Sequence, residues 1–485
     1  MSKQNVQGRR GSAVVCADDS GAWVDRELAN SNFKDARLGK RFRSLLEQLS
    51  SSPGGPILLA CQDWTNTKAA YRFLDNDRVS EAEILAGHFG ATRDRVAATH
   101  GNVLVLHDTT ELTFHREDGR QIGHLTTSHV GTISRPRHHQ VCGILMHSSL
   151  AVTPEGLPLG LGAIKFWTRE KFKGSTALKR HINPTRVPIE WKESMCWIDN
   201  LRQSTALLND PARCVHIGDR GSDIYELFCE AHDAGTHFLF RTCVDRCAGD
   251  GEHTVADEMA EERCKGIHKV EVQDRHGNIS EAVVELRFRR VLVRPPIAKQ
   301  GQYAPIKVTV LHAIERGKPK DRDPIDWKLI TDLPITSRAS AIEKLRGYAL
   351  RWKIETFHKI LKSGCRAEQS KLRTAERLVN LMAMFCILSW RIFWMTMINR
   401  AVENAPPEIV FTPLEIDLLN RLTQRRQSKR RRVTLHDCLT QLAKLGGYLA
   451  RAGDGPPGNM VIWRGMTRLT DIELGFHMGA QHVGN

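Results

Sequence analysis

The sequence predicts a multidomain α/β protein in which a central α/β region is flanked by helical regions at both ends of the chain. Its 485 residues are too many for one ordinary domain. Short apolar runs at 103–106 and 214–217 are typical of buried strands. Helical patterns dominate before about residue 85 and after about residue 336. Strands and helices mixed in this way indicate a layered α/β core.

The N-terminal region, predicted as a helical domain over residues 1–85, is rich in basic side chains. Residues 35–49 predict an amphipathic helix in which cations, Arg41 among them, alternate with apolar residues. A Ser-Pro-Gly stretch at 50–55 ends this helix, and a further helical segment carries Arg72. Two interpretations of the basic face stay open: a solvated surface and a surface that contacts DNA.

The middle of the chain, residues 86–375, is predicted to be the α/β domain. Its strands are expected at 103–106, 140–152, 214–217 and 237–241, and a β-rich segment follows at about 243–333. Residues 376–485 are predicted to form a C-terminal helical domain that includes a basic run at 421–432, either a solvated loop or one that faces DNA.

The charge balance indicates a polyanionic partner. Lys and Arg number 70 against 55 Asp and Glu, a formal net charge of +15, and the isoelectric point is near 9.4. A basic excess of this size favours nucleic acid, because each neutralised phosphate releases counterions.

The cellular compartment is predicted to be the cytoplasm. The 12 cysteines form no CxxC pair, and the polar N-terminus lacks the apolar segment of a secretion signal. The apolar stretch 378–398 resembles a membrane span, but Asn380 and Arg391 interrupt it. An arginine inside a bilayer is costly, so this stretch is predicted to be a buried helix.

Two aspartates follow predicted strands. Asp108 ends the first strand, and Asp219 ends the third. Carboxylates at the carboxyl ends of strands in an α/β sheet lie where sites usually form, although aspartate is also common in turns. The helix after Asp219 is expected to begin with a capping box formed by Asp223 and Glu226.

A charged helix adds a third carboxylate. At about 100° per residue, five polar side chains fall within an arc of about 80°: Tyr348, Arg351, Glu355, Lys359 and Lys362. The apolar residues of the segment lie on the opposite side and are expected to pack. One glutamate among three cations and a phenol suits a metal ligand beside phosphate-binding groups.

The three carboxylates predict a site for two Mg²⁺ ions, which prefer oxygen ligands. Two such ions can activate an attacking oxygen and stabilise a leaving oxygen during phosphoryl transfer. No GxxxxGK[ST] motif occurs, so a P-loop motor that hydrolyses ATP is not supported.

At this point the sequence resembles a known family, the transposases of insertion-sequence family four of the Tn-five type. Their signature is Tyr, two residues, Arg, three residues, Glu, six residues, Lys, and the segment YALRWKIETFHKILKSG (348–364) carries it. Three further segments are similar to family motifs: AAYRFLDN (69–76), HDTTEL (107–112) and GDRGSDIY (218–225). The resemblance implies an RNase H-like catalytic core, interrupted by the β-rich insertion.

The resemblance also implies residue roles. Asp108, Asp219 and Glu355 would hold Mg²⁺, for which Mn²⁺ can substitute. Tyr348, Arg351 and Lys362 would grip phosphates at the transposon end. Trp327 lies 21 residues before Tyr348, where the family has a tryptophan that stacks on a flipped base. Further DNA contacts are implied for a set of arginines: Arg241, Arg41 and Arg72.

The implied function is cut-and-paste transposition. The partners would be double-stranded DNA, as transposon ends and target, and a second copy of the chain in a homodimer, with no membrane and a nucleoid-associated location in a bacterial cytoplasm. Two other functions stay open: an RNase H-like nuclease without strand transfer, and a non-catalytic DNA-binding inhibitor of transposition.

Overall fold

The computed structural model describes residues 23–31, 33–52, 54–116, 119–130, 137–169, 187–273, 279–401, 405–422 and 433–483. Most of the basic run at 421–432, and residues 1–22, lie outside these ranges. The helices before the sheet are α1 (Trp23–Leu28), α2 (Ala36–Ser51), α3 (Ile57–Cys61), α4 (Trp64–Leu74) and α5 (Glu81–Ala97). The helices that follow are α6 (Met195–Leu208), α7 (Tyr225–Asp233), α8 (Val255–Ala260), α9 (Arg338–Ala349), α10 (Trp352–Lys359), α11 (Ala375–Ala401), α12 (Pro413–Arg421), α13 (Leu435–Leu445) and α14 (Asn459–Val483).

Twelve strands form one mixed sheet within the described chain. They are β1 (Val103–Phe114), β2 (His124–Val130), β3 (Arg137–Val152), β4 (Pro158–Trp167), β5 (Cys214–Gly218), β6 (His237–Arg241), β7 (Cys247–Ala248), β8 (His253–Thr254), β9 (Gly266–Gln273), β10 (Ile279–Val293), β11 (Ile306–Glu315) and β12 (Asp326–Thr331). In the half that contains β1, the order is β4-β3-β1-β5-β6, with β1, β5 and β6 parallel to one another and the remaining neighbours antiparallel. This order is that of an RNase H-like core, and the fold class is the predicted multidomain α/β arrangement.

The β-rich segment predicted at 243–333 does not form a separate sheet. β12 pairs antiparallel with β6, and β11 and β10 continue outward from it. The insertion therefore widens the central sheet, and it brings the strand that carries Trp327 directly beside β6.

The first strand is longer than predicted. β1 runs to Phe114 because the long β3 pairs with it as far as Phe114↔Cys142. Asp108 therefore lies within the strand, and the expectation that it ends the strand is wrong. The parallel pairing of β1 with β5 does end at Leu106↔Ile217, so Asp108 lies just past the point where β1 loses that neighbour.

The charged segment predicted as one continuous helix is divided. Tyr348 lies near the end of α9, Arg351 lies in the break before α10, and Lys362 lies in a π-helical turn over Ile360–Gly364. Such turns are common at functional sites. The polar face is also buried at its start, because Tyr348 is 3% exposed and Arg351 is 8% exposed.

Helix α11 is the long apolar stretch that resembles a membrane span, and most of it is buried inside the protein. It contacts elements from several parts of the chain. Asn380 donates hydrogen bonds to the carbonyls of Leu74 and Val79, and Arg377 pairs with Asp75. The helix therefore packs as a core element that joins the N-terminal helices to the rest of the protein.

The N-terminal helices are also tied to the sheet by a buried ionic group. Glu27 on α1 contacts His88 (2.5 Å) and Arg95 (2.6 Å), both on α5. Arg95 also donates a hydrogen bond to the carbonyl of Leu159 on β4, and His88 Nε2 accepts one from the amide of Leu161. Helix α5 spans residue 85, so the boundary predicted there falls inside a helix.

The predicted capping box of the helix after Asp219 is wrong. Helix α7 begins after Ile224, which makes no side-chain cap. Asp223 instead pairs at 2.5 Å with Arg246, and the two side chains are 1% and 9% exposed. Glu226 pairs with the buried Lys299. Both carboxylates are thus used in tertiary ion pairs, which the local spacing could not indicate.

Three buried histidines lie close together on the neighbouring strands β1, β3 and β5. His107 Nε2 is 2.8 Å from His216 Nδ1, and His107 Nδ1 is 2.9 Å from Ser149 Oγ. His147 Nδ1 is 2.7 Å from Thr109 Oγ1. Burial lowers the pKa of His147 to about 3 and holds the pKa values of His107 and His216 well below the ordinary range. These rings are therefore neutral in the folded protein.

We predict that the protein loses stability as the pH falls below about 6.5. In the unfolded chain the rings of His147 and His216 take up protons near that pH, whereas in the fold they do not, so acid favours unfolding. For His147 the loss extends from about 6.5 down to about 3. Glu27, whose pKa Arg95 and His88 lower to about 2 against the opposing effect of burial, adds to the loss only at more acidic pH. A melting temperature that stays constant from about pH 8 to about pH 5 would contradict this prediction.

A second prediction concerns Asp223, which also accepts hydrogen bonds from the hydroxyl of Thr242 (2.9 Å) and from the amides of Cys243 and Val244 (2.7 Å each). Asp223→Ala leaves the Arg246 charge buried without its partner and should lower the free energy of unfolding by about 3–5 kcal/mol. Urea denaturation measures this change. A loss below about 1 kcal/mol, as is typical of an exposed pair, would show that the pair is solvated.

Candidate active site

The two aspartates are held in matching register on neighbouring parallel strands. Asp108 lies two residues beyond Leu106, and Asp219 lies two residues beyond Ile217, the residue that pairs with Leu106. Because side chains alternate along a strand, both carboxylates are on the same face of the sheet as the buried Leu106 and Ile217. Asp219 Oδ1 also accepts a hydrogen bond from the amide of Gly221, which orients the carboxylate at the end of β5.

Helix α10 brings Glu355 to this face. Ile354 and Phe357 are fully buried and anchor the helix in the same core as Leu106 and Ile217. Arg351, in the break before α10, contacts Glu355 at 2.8 Å. Burial would lower the pKa of Arg351, but nearby negative groups raise it above the ordinary value. The arginine is thus a firmly held positive charge within the carboxylate group.

The three carboxylates influence one another electrostatically. Burial raises the pKa of Glu355, Arg351 opposes the rise, and the negative charges of Asp108 and Asp219 add to it. In the residues that the structure describes, no three His, Cys, Asp or Glu side chains lie close enough together to hold a metal ion as they stand. The donors nevertheless suit a divalent cation chemically, since three carboxylates share one face and a cation would relieve their mutual repulsion.

His358 links the glutamate helix to the first aspartate strand. Its Nδ1 is 3.4 Å from Asp108 Oδ2, and its Nε2 is 2.8 Å from Ser148 Oγ, the residue that pairs with Asp108 across β1 and β3. Sequence reasoning missed this histidine. The signal was present, because His358 follows Glu355 by three residues and so lies on the same side of the helix.

Trp327, on the insertion strand β12, contacts Tyr348, near the end of α9. Their rings meet edge to face with centroids 5.3 Å apart. Burial raises the pKa of Tyr348, while Arg351 and Arg241 act in the opposite direction. Arg241, at the end of β6, donates a hydrogen bond to the carbonyl of Asp326. The structure therefore brings Trp327, Tyr348, Arg351 and Arg241 to the edge that carries the carboxylates.

The remaining predicted cations are Lys359, Lys362, Arg41 and Arg72. Lys359 is exposed, and Lys362 is half-buried in the π-helical turn. Arg41, on α2, donates a hydrogen bond at 3.4 Å to Asn66, and Arg72 is exposed on α4. Arg41 and Arg72 thus belong to the N-terminal helices and not to the group around the carboxylates.

The basic face predicted on α2 is partly neutralised. Arg43 pairs with Asp25 and Glu47, and Arg37 pairs with Asp35. Two of the four cations on this helix are therefore already paired with carboxylates.

Two regions of the chain match known protein families. Residues 20–79, which include α1 to α4, match the transposase DNA-binding family. Residues 387–481, from within α11 to near the end of α14, match the transposase Tn5 dimerisation domain. The matches lie on either side of the RNase H-like core that holds the carboxylates. The chain therefore carries the DNA-binding and dimerisation regions of a Tn5-type transposase on either side of this core.

Proposed function

We propose that the protein is a cut-and-paste transposase of insertion-sequence family four that cleaves transposon ends and joins them to target DNA. The observation that supports the proposal is that Asp108, Asp219 and Glu355 share one face of an RNase H-like sheet and influence one another electrostatically, with Arg351 in contact with Glu355. A regulator without catalytic activity would not need this set of carboxylates, and a DNA-binding and a dimerisation domain fit an enzyme that pairs two DNA ends.

Asp108, Asp219 and Glu355 would hold Mg²⁺, two ions in all, with Mn²⁺ as a possible substitute. Bound there, the ions would activate the attacking oxygen and stabilise the leaving oxygen of the phosphoryl transfer. His358 holds Asp108 in place through its contact with Ser148 as well. Arg351 would donate paired hydrogen bonds to a phosphate, and Lys359 and Lys362 would add charge along the same strand of DNA.

The reaction would proceed in four steps at each transposon end. Water cleaves one strand and leaves a 3′-OH, and this hydroxyl then attacks the opposite strand and closes a DNA hairpin. Water reopens the hairpin, and the freed 3′-OH attacks target DNA. A base at the tight turn of the hairpin would leave the stack and lie on Trp327, as in other enzymes that extrude bases.

Two copies of the chain would pair the two ends. Helix α14 lies within the dimerisation match, and it exposes apolar side chains that a second copy could cover: Leu474, Phe476 and Met478. Arg41 and Arg72 would contact the end DNA from the N-terminal helices. The expected location is the bacterial cytoplasm, in association with the nucleoid.

Asp108→Asn tests the proposed active site. Cleavage of transposon-end DNA with Mg²⁺ should fall below about one thousandth of the wild-type rate, because the residues of such a site act as a unit. Glu111→Gln is the matched control, since Glu111 is an exposed carboxylate on the same strand. If Asp108→Asn still cleaves the DNA, the assignment of the metal ligands is wrong. A wild-type protein that cuts DNA but never joins it would instead support the nuclease alternative.

Trp327→Ala tests the hairpin route. Stacking of a base on an aromatic ring contributes about 1–3 kcal/mol, so hairpin closure should slow by about tenfold or more while first-strand nicking changes little. Trp327→Phe keeps an aromatic contact with Tyr348 and should restore much of the rate. Trp191→Ala, which removes a ring that is 85% exposed, is the control. Equal slowing of nicking and closure would indicate that Trp327 only supports Tyr348.

A further inference from the structure

A cavity of about 280 Å³ lies between the first helix and the long buried helix α11. Three tryptophans line it: Trp23 on α1, and Trp390 and Trp394 on α11. Leu159, on β4, and Ile409, after α11, add to the apolar lining. The volume is slightly below the range of about 300–1,000 Å³ that is typical of pockets for drug-sized ligands. The cavity therefore has room for a small molecule.

Arg391 also lines this cavity, and it is the arginine that interrupts the apolar stretch 378–398 of the sequence. Its guanidinium lies over the ring of Trp23, with 4.2 Å between the guanidinium carbon and the ring centroid. The side chain is buried, because the residue is only 6% exposed. Among the described residues its guanidinium donates one hydrogen bond, a long one of 3.4 Å to the carbonyl of Val410. Most of the N–H donors of this group therefore have no acceptor in that part of the chain.

The charge of Arg391 also lacks a counter-ion, since no carboxylate of the described chain lies within ion-pair distance of it. Glu27 and Glu415 act on the arginine from further away. Glu27 is already held by His88 and Arg95, and Glu415 caps the start of α12. Burial lowers the pKa of Arg391 to about 9, so the group is still a cation at neutral pH. A buried cation without a partner destabilises the fold, and a bound anion would relieve this.

A second donor in the cavity has no acceptor. The indole Nε1 of Trp390 is buried and makes no hydrogen bond. The ring of Trp390 packs against the guanidinium of Arg95 at 4.1 Å and stacks on Trp394, with centroids 6.0 Å apart. Buried polar groups nearly always have a hydrogen-bond partner, so an N–H that lines a cavity without one points to a ligand atom or an ordered water. A water would satisfy the indole but would not balance the charge of Arg391.

The other charged residues of the cavity do not supply the missing anion. Asp94 contacts Arg93 at 3.0 Å. Arg26 donates a hydrogen bond to the carbonyl of Ile409, and its positive charge acts against that of Arg391. The acids around the cavity are thus engaged while a buried cation faces it. The electrostatics favour an anion, and the tryptophan walls favour an apolar body.

We propose that this cavity binds a small carboxylate that has an apolar or aromatic body. The carboxylate would accept hydrogen bonds from Arg391 and from the indole N–H of Trp390. The body would pack against Trp23, Leu159 and Ile409. The inference goes beyond the proposed function and does not depend on it.

The position of the cavity gives such a ligand a structural effect. Trp23 belongs to the DNA-binding match, whereas Trp390 and Arg391 belong to the dimerisation match. Leu159 belongs to the sheet between these two regions. A ligand that binds only the folded protein stabilises it, and here the added contacts would hold α1 against α11.

The first test is a calorimetric titration of the full chain at constant ionic strength with benzoate, hexanoate and their neutral counterparts, benzamide and hexanamide. At least one carboxylate should bind and raise the melting temperature. Its neutral counterpart should bind about tenfold more weakly or worse, because hydrogen bonds to charged groups are the stronger ones. Binding of neither carboxylate at millimolar concentration would overturn the proposal, and so would equal affinity for the carboxylate and its amide.

The second test uses variants of the two donors. Arg391→Met removes a buried charge and keeps an apolar side chain, so the protein should stay folded while the affinity for the bound carboxylate falls by about tenfold to a hundredfold. Trp390→Phe removes only the indole N–H and should weaken binding by about fivefold.

Arg400→Met is the matched control, since it removes an exposed cation from the same helix. Its affinity for the carboxylate should equal that of the wild type. Wild-type affinity in both Arg391→Met and Trp390→Phe would refute the assigned donors. Equal losses in all three variants would refute them as well, because they would indicate a general effect on the helix.

Hydrogen exchange with the bound carboxylate locates its site. Amides of α1 and of the middle of α11 should exchange more slowly, and Arg391→Met should abolish the effect. Protection confined to the edge of the sheet that carries Asp108 and Asp219 would place the anion on the cations of the candidate active site and would contradict the proposal. No step of this test requires DNA cleavage, so failure of the proposed function would leave its result unchanged.

Discussion

The parallel register between β1 and β5 determines where the candidate active site lies. It sets Asp108 and Asp219 at equal distances beyond the pair Leu106↔Ile217 and turns both toward the core that receives α10. A shift of one residue in either strand would turn one carboxylate to the other face of the sheet. The contribution of Glu355 depends on the same register, because the buried Ile354 and Phe357 must find this core before the glutamate can face the aspartates.

The charges of the site are distributed unequally over the two faces of the widened sheet. On the face toward α10, Arg351 and Tyr348 accompany the carboxylates, and His358 fixes Asp108 to the neighbouring strand. On the other face, the insertion adds Arg287 and Lys328, which line a cavity together with Asp245 and Asp326. The insertion strands β10 to β12 create this difference, because they extend the sheet past β6.

How much the sequence could predict depends on the range of the interactions. The spacing of Tyr348, Arg351 and Glu355 is local, and the structure does bring Arg351 into contact with Glu355 and close to Tyr348. Asp108 was expected to end its strand because the apolar run at 103–106 stops just before it. The strand continues because a distant strand, β3, pairs with it. Asp223 was predicted to cap a helix, but its partner Arg246 lies 23 residues further along the chain, after β6. Pairing across such distances leaves no periodic pattern along the chain.

The central position of α11 has a consequence for the proposed function. This one helix contacts the N-terminal helices through Asn380 and Arg377, and it enters the dimerisation match at residue 387. Its Cys386 also contacts Met146 on β3, a strand of the central sheet. The DNA-binding match, the sheet and the dimerisation match are therefore packed against one helix. In a transposase built in this way, the number of base pairs between the bound sequence and the cut would be a property of the fold, fixed before any DNA arrives.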